Sequence, residues 1–154
     1  MNARPRVLVI GAGSIGERHV RCFQATGRVE VAVCEPNQTV RDAVQSKYGI
    51  AQSFESLETA LAAPFDLAVV GTPAQFHVAQ ARTLVERGIH ALVEKPLSLE
   101  IGGIEELVAA AATHGRFCIG CGLSSFWKDS QKMIAALTAM DSTMKMPAMS
   151  SALP

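Results

Sequence analysis

The chain lacks an excess of charge of either sign. Across 154 residues, 14 Lys and Arg are matched by 14 Asp and Glu, for a formal net charge of +0. That balance excludes the electrostatic footprint with which proteins hold nucleic acid or an anionic membrane surface. Long apolar runs are also missing, and none approaches the ~18 residues needed to cross a bilayer. Arg4 and Arg6 precede an apolar run at 7–10, as in a signal peptide. The run is too short, however, and it leads into a glycine turn instead of a cleavage site. A cytoplasmic location is therefore expected. Cysteine is scarce, at four residues, which in a chain of this size and class does not suggest a disulfide framework. With 49% hydrophobic and 18% charged residues, the composition is that of an ordinary globular protein, long enough for one sizeable core.

What the chain does have is the run Val7-Leu8-Val9-Ile10-Gly11-Ala12-Gly13-Ser14-Ile15-Gly16. An apolar strand pattern enters a G-x-G-x-x-G turn and a helical pattern follows. Gly11 permits the tight turn, Gly13 lets backbone approach a pyrophosphate, and Gly16 lets the helix pack on the strand. The helix start at Ser14 and Ile15 offers free N–H groups and a partial positive charge to phosphates. Glu35 stands nineteen positions beyond Gly16, a spacing that suits a carboxylate accepting hydrogen bonds from an adenosine ribose. A carboxylate there repels a 2′-phosphate, so NAD is favoured over NADP, with Arg41 the one nearby cation in reach of such a phosphate.

Apolar runs and helical patterns alternate through the first four-fifths of the chain. Strands are expected at 7–10, 29–34, 67–70, 91–93 and 117–119, with a weaker one near 51–54. Helices are expected near 14–25, 39–48, 56–62, 75–87 and 99–114. The strand patterns are near-continuous apolar runs, as in parallel strands covered on both faces. Ser98 is expected to cap the last helix, with Ile101, Ile104, Leu107, Val108 and Ala111 on one face. Gly27, Gly49, Gly88 and Gly115 follow helical patterns where a left-handed cap is wanted. The fold class is α/β, a doubly wound parallel sheet. Its strand ends gather residues 11–16, Glu35, Thr72-Pro73, Glu94-Lys95-Pro96 and Gly120-Cys121-Gly122 on one edge, where ligands bind in such sheets.

These motifs carry a resemblance. Gly11-Ala12-Gly13-Ser14-Ile15-Gly16, Glu35-Pro36-Asn37, Gly71-Thr72-Pro73 with His77 four residues on, and Val93-Glu94-Lys95-Pro96-Leu97 resemble the glucose–fructose oxidoreductase/inositol dehydrogenase (Gfo/Idh/MocA) family. The resemblance runs from about residue 6 to 120. It implies a Rossmann dinucleotide-binding domain of a nicotinamide-dependent oxidoreductase acting on a sugar, inositol or related polyol. Lys95 matches the catalytic lysine that contacts the substrate hydroxyl and helps move its proton. Glu94 matches a carboxylate near the nicotinamide, Thr72 and Pro73 match the loop walling the cofactor, and His77 is counted with these cofactor-binding positions. The cofactor is expected to be NAD, NADP being less favoured, and no metal is expected.

Beyond residue 120 the family pattern stops. The family's arginine-containing motif is replaced by Gly120-Cys121-Gly122-Leu123-Ser124-Ser125-Phe126-Trp127, and five of the six methionines follow. The expectation is a binding domain at 1–120 and a divergent segment at 121–154, with a short helix near 131–140 and a flexible tail from 142. The family's second domain is absent, as in a truncated or frame-shifted product, and an exposed apolar face would favour self-association. Cys118-Ile119-Gly120-Cys121 lies in a strand and lacks further ligands, which argues against redox or zinc chemistry. Two other classes remain: a stand-alone NAD(H)-binding regulatory or interaction module, and, more weakly, an S-adenosylmethionine-binding methyltransferase-like domain.

Overall fold

A computed structural model describes residues 4–116 and 118–120. Phe117, the expected start of the sixth strand, the cysteine at 121, the helix expected at 131–140 and the tail expected from 142 lie outside the described residues. Six strands, β1 (Arg6–Ile10), β2 (Glu30–Cys34), β3 (Ser53–Phe54), β4 (Leu67–Val70), β5 (His90–Val93) and β6 (Cys118–Gly120), form one sheet in the order β3-β2-β1-β4-β5-β6. Every pairing is parallel. Helices α1 (Ser14–Ala25), α2 (Gln38–Tyr48), α3 (Leu57–Ala60), α4 (His77–Glu86) and α5 (Ile104–Thr113) connect them, and a short 3-10 turn at Ala74–Phe76 leads into α4.

The apolar runs are continuous because both faces of the sheet are covered. Val7 and Val9 pack with Val20 and Phe23 of α1 and Val44 of α2 on one face. Leu8 and Ile10 pack with Ala81, Leu84 and Val85 of α4 and Leu107 of α5 on the other. Alternate residues of one strand thus feed two cores. Burial of each large side chain, such as Phe23 or Leu84, contributes about 1.5–3 kcal/mol. Gly27, Gly49, Gly88 and Gly115 all take positive φ behind their helices.

Most expected elements fall within a residue or two of their observed bounds, and the last helix is the main correction. It begins at Ile104, not 99, behind Gly103 with φ 83°. Ser98 caps only a local turn, accepting from the Glu100 N–H at 3.1 Å. Ile101 is 88% exposed and Val108 63%, so the expected five-residue stripe is cut to Leu107 and Ala111 as its buried members. The Gly102-Gly103 pair explains the late start, since glycine disfavours helix interiors and accepts the left-handed turn that re-aims the chain. The helix expected at 56–62 is likewise a single turn, α3, closed by a Ser56–Thr59 capping box.

Candidate functional site

Strand order reverses direction between β1 and β4, and the loops leaving the carboxyl ends of the strands meet there. The loop after β1 is shaped by its glycines. Gly11 has φ 85°, and a Cβ on it would lie 2.9 Å from the Gly71 carbonyl oxygen. A Cβ on Gly16 would lie 1.7 Å from the Gly11 carbonyl oxygen, so α1 is pressed directly against the turn. Gly13 is different, since a Cβ there meets nothing within 4 Å. Gly13 precedes α1 without any side-chain cap, and the first helical bond runs from the Glu17 N–H to the Gly13 carbonyl at 2.8 Å. The N–H groups ahead of Glu17 have no intrahelical acceptor. The shelf formed by Gly13, Ser14 and Ile15 is exposed.

Glu35, at the end of β2, is tied into this loop. Its Oε2 accepts from the Ala12 N–H at 2.9 Å and its Oε1 from the Asn37 N–H at 2.9 Å. Each carboxylate oxygen keeps a further lone pair for a ligand hydroxyl. The Arg41 guanidinium donates to the Glu35 main-chain carbonyl at 2.6 Å, which parks a cation beside the carboxylate. Cys34, the preceding residue, is buried, and burial, helped by Glu35, pushes its thiol up to about 11. It is therefore a core side chain and no nucleophile.

On the other side of the crevice, Thr72 is half-buried and its hydroxyl donates to Gln80 Oε1 at 2.6 Å, while Pro73 is exposed. His77 is buried: its Nδ1 lies 2.8 Å from the Pro96 carbonyl oxygen and its Nε2 2.6 Å from that of Thr72. The ring therefore lies behind the Thr72 loop instead of facing the crevice. Glu94, at the end of β5, pairs with buried His19 of α1, Nε2 to Oε1 at 2.5 Å. Burial holds the His19 imidazole below its usual range, and Glu94 opposes that shift. The other Glu94 oxygen accepts from the Lys95 N–H at 3.3 Å. The Lys95 side chain is exposed, and the Lys95–Pro96 peptide is cis.

Residues 11–16, Glu35, Thr72, Pro73, Glu94 and Lys95 thus share one edge of the sheet. Three features escaped the sequence: the Glu35–Ala12 tie, the Arg41 anchor and the His19–Glu94 pair. For His19 a signal existed. Gly16, His19, Val20 and Phe23 recur at helical spacing and form the buried face of α1. A cavity of about 800 Å³ lies elsewhere, at the opposite edge of the sheet by Arg6, Gln24, Gly49 and Gln52. It has no helix N-terminus aimed into it, and Arg6 is already engaged by Gln52 and lies over the Phe65 ring. The glycine shelf therefore outranks it as a ligand site despite being open. No group of three or more His, Cys, Asp or Glu suited to a metal occurs among the described residues, and no described helix is long and apolar enough to cross a membrane.

Sheet order, glycine loop and acidic β2 end together define a dinucleotide-binding Rossmann domain. The family follows directly. The chain belongs to the Gfo/Idh/MocA oxidoreductase family, NAD-binding Rossmann fold, whose model matches residues 5–120. It is 30% identical over 116 residues to a 4-carboxy-2-hydroxymuconate-6-semialdehyde dehydrogenase of Sphingobium sp., covering 74% of this chain and 37% of that protein. It is 34% identical over 101 residues to an inositol 2-dehydrogenase of Corynebacterium glutamicum, covering 64% and 30% respectively. Among solved structures, GenD2 from gentamicin A biosynthesis, crystallised with NAD, superposes with a TM-score of 0.72 at 33% identity, covering 78% of this chain and 35% of that one. The chain thus spans about a third of the length of these relatives.

Proposed function

We propose that residues 1–120 hold NAD across the carboxyl edge of the sheet and serve hydride transfer at a secondary alcohol carbon of a sugar, inositol or related polyol. One observation carries the reading. A carboxylate after β2, uncapped N–H donors after β1 and a lysine after β5 follow one another along the carboxyl edge of the sheet, on either side of the β1/β4 switch point. The residues fit the cofactor, because the Cβ direction of Gly13 is open space where its neighbours Gly11 and Gly16 are closed by backbone.

In this reading the α1 N-terminus binds the diphosphate through main-chain N–H groups and the helix dipole. Ser14 and Ile15 contribute first-turn N–H donors. Glu35 accepts from the adenosine ribose with its remaining lone pairs and repels a 2′-phosphate, which sets NAD above NADP. With the adenosine on the β2 side, the nicotinamide half falls on the β4–β5 side, between the wall of Thr72 and Pro73 and the Glu94 carboxylate. NAD, when bound, supplies the hydride acceptor. The Lys95 amine accepts the proton of the substrate hydroxyl as the hydride leaves carbon, and the ammonium so formed stabilises negative charge on that oxygen before releasing the proton to solvent. His77 supports the wall from behind. A polyol is the small-molecule partner, the cytoplasm the setting, and self-association the form of assembly.

Calorimetric titration with NAD, NADP and S-adenosylmethionine, followed by turnover measurements on a polyol panel, tests the reading. NAD is expected to bind most tightly, with NADH formed from at least one polyol. Preference for S-adenosylmethionine would overturn the cofactor assignment. Tight NAD binding with no turnover on any polyol would leave a binding module in place of an oxidoreductase.

A further inference from the structure

Lys95 is the exposed middle member of a tripeptide whose two outer members are each gripped by a buried histidine. On one side, His19 from α1 holds the Glu94 carboxylate at 2.5 Å, across 75 positions of sequence. On the other, His77 from α4 holds the Pro96 carbonyl at 2.8 Å, across 19 positions. Neither contact builds local secondary structure. Both histidines are 1% exposed, so the grips are sheltered from competing water. The helices that carry them also shape the cofactor crevice: α1 begins with the glycine shelf, and the second ring nitrogen of His77 lies 2.6 Å from the Thr72 carbonyl. Lys95 makes no side-chain hydrogen bond or ion pair with the described residues. Its reach is therefore governed by the main chain on either side of it.

We infer that His19 and His77 form a two-point clamp that positions Lys95, gripping the residues on either side of it from two different helices. They are positioning residues: neither ring reaches the crevice, and each acts through a neighbour of Lys95. The inference rests on the reading of Lys95 as the proton-handling group. A freely swinging lysine would stabilise a developing alkoxide only in a fraction of its positions, and errors of about 1 Å at such a group cost on the order of a hundredfold in rate.

The side-chain geometry of histidine provides the test. A glutamine amide nitrogen sits near the Nε2 position of histidine and an asparagine amide nitrogen near Nδ1. His19→Gln therefore keeps a donor for Glu94. His77→Asn keeps the one for Pro96, and His77→Gln keeps only the one for Thr72. His19→Leu and His77→Leu remove all of them. The readout is the dimethyl-lysine NMR signal of Lys95 in the full chain carrying ¹³C-methylated lysines, identified by its loss in Lys95→Arg. ADP-ribose affinity measured in parallel reports on the glycine-loop half alone.

The wild-type Lys95 signal is expected to stand apart from the free-lysine position. It should collapse to that position in both leucine variants and in His77→Gln, and persist in His19→Gln and His77→Asn. ADP-ribose affinity should stay within about twofold throughout. A Lys95 signal unchanged in the leucine variants, or equal rescue by His77→Asn and His77→Gln, would overturn the clamp. If a leucine variant fails to fold, the contrast between Asn and Gln at position 77 decides the matter. Failure of the wild-type chain to bind ADP-ribose would instead overturn the cofactor reading, and the Lys95 signal would still report on the clamp.

Discussion

The Ala12 N–H donates to Glu35 Oε2 at 2.9 Å, so the carboxylate at the end of β2 braces the glycine loop at the end of β1. Glu35 thus has a structural duty as well as a ligand-binding one. Glu35→Ala removes an ionised acceptor from two backbone donors, Ala12 and Asn37. The expected result is NAD affinity lowered by about tenfold to a hundredfold, with a loss of stability of about 1–3 kcal/mol. NADP should lose less than NAD, because the anion that repels a 2′-phosphate is gone and Arg41 remains anchored nearby. Paired titrations with NAD and NADP check both statements, and an unaltered NAD affinity would remove Glu35 from the ribose role.

The glycines of the loop should separate stability from binding. Gly16→Ala forces a methyl to 1.7 Å from the Gly11 carbonyl oxygen, where only backbone can move, so severe destabilisation is expected in thermal unfolding. Gly13→Ala meets no atom within 4 Å and takes an ordinary φ of −64°. Its melting temperature should be near wild type. Its NAD affinity should fall by at least tenfold, because the methyl occupies the space through which the diphosphate approaches. Normal NAD binding by Gly13→Ala would place the diphosphate elsewhere.

Lys95 is exposed and its side chain makes no hydrogen bond or ion pair with the described residues, so Lys95→Met should leave melting temperature and NAD affinity within experimental scatter. Turnover on any polyol that the wild-type chain oxidises should drop by roughly 10²–10⁴-fold. Stopped-flow appearance of NADH measures this directly, and retained turnover would move proton handling to another group.

Stability should fall in mild acid through His90, which begins β5 at the edge opposite the site. Burial, with Arg116 adding to it, lowers its imidazole from 6.5 to about 4. Between these values the unfolded chain binds the proton and the folded chain does not, so folding stability is complete above about 6.5 and is lost as pH falls towards 4. At ~1.4 kcal/mol per unit, this one group accounts for up to about 3 kcal/mol. Urea unfolding of wild type and His90→Leu across this range should show the shallower pH slope in the variant. Identical slopes would assign the acid sensitivity to other groups, His19 first among them.

The strands were legible because a sheet covered on both faces leaves near-continuous apolar runs, and 67–70 coincides with β4 residue for residue. The glycine loop was legible because Gly11 and Gly16 each meet a steric demand that no other residue meets, while Gly13 keeps the approach to the loop open. Helix α5 was misread at its start because Ile101 continues an apolar period that ends in solvent once Gly102 and Gly103 redirect the chain. The bonds that organise the site were beyond periodicity altogether. Glu35 finds Ala12 across 23 positions and Glu94 finds His19 across 75, separations at which only the folded sheet sets the distance.

The central claim is that a dinucleotide lies along the carboxyl edge of the sheet at the β1/β4 switch. Titrating ¹⁵N-labelled chain with NAD and following backbone amide shifts tests it most directly. Saturable shifts are expected at Gly13, Ser14, Ile15, Glu35, Thr72 and Lys95, with Gly27, Gly49 and Gln52 at the opposite edge unmoved. Shifts confined to that opposite edge, or none at saturating NAD, would contradict the account.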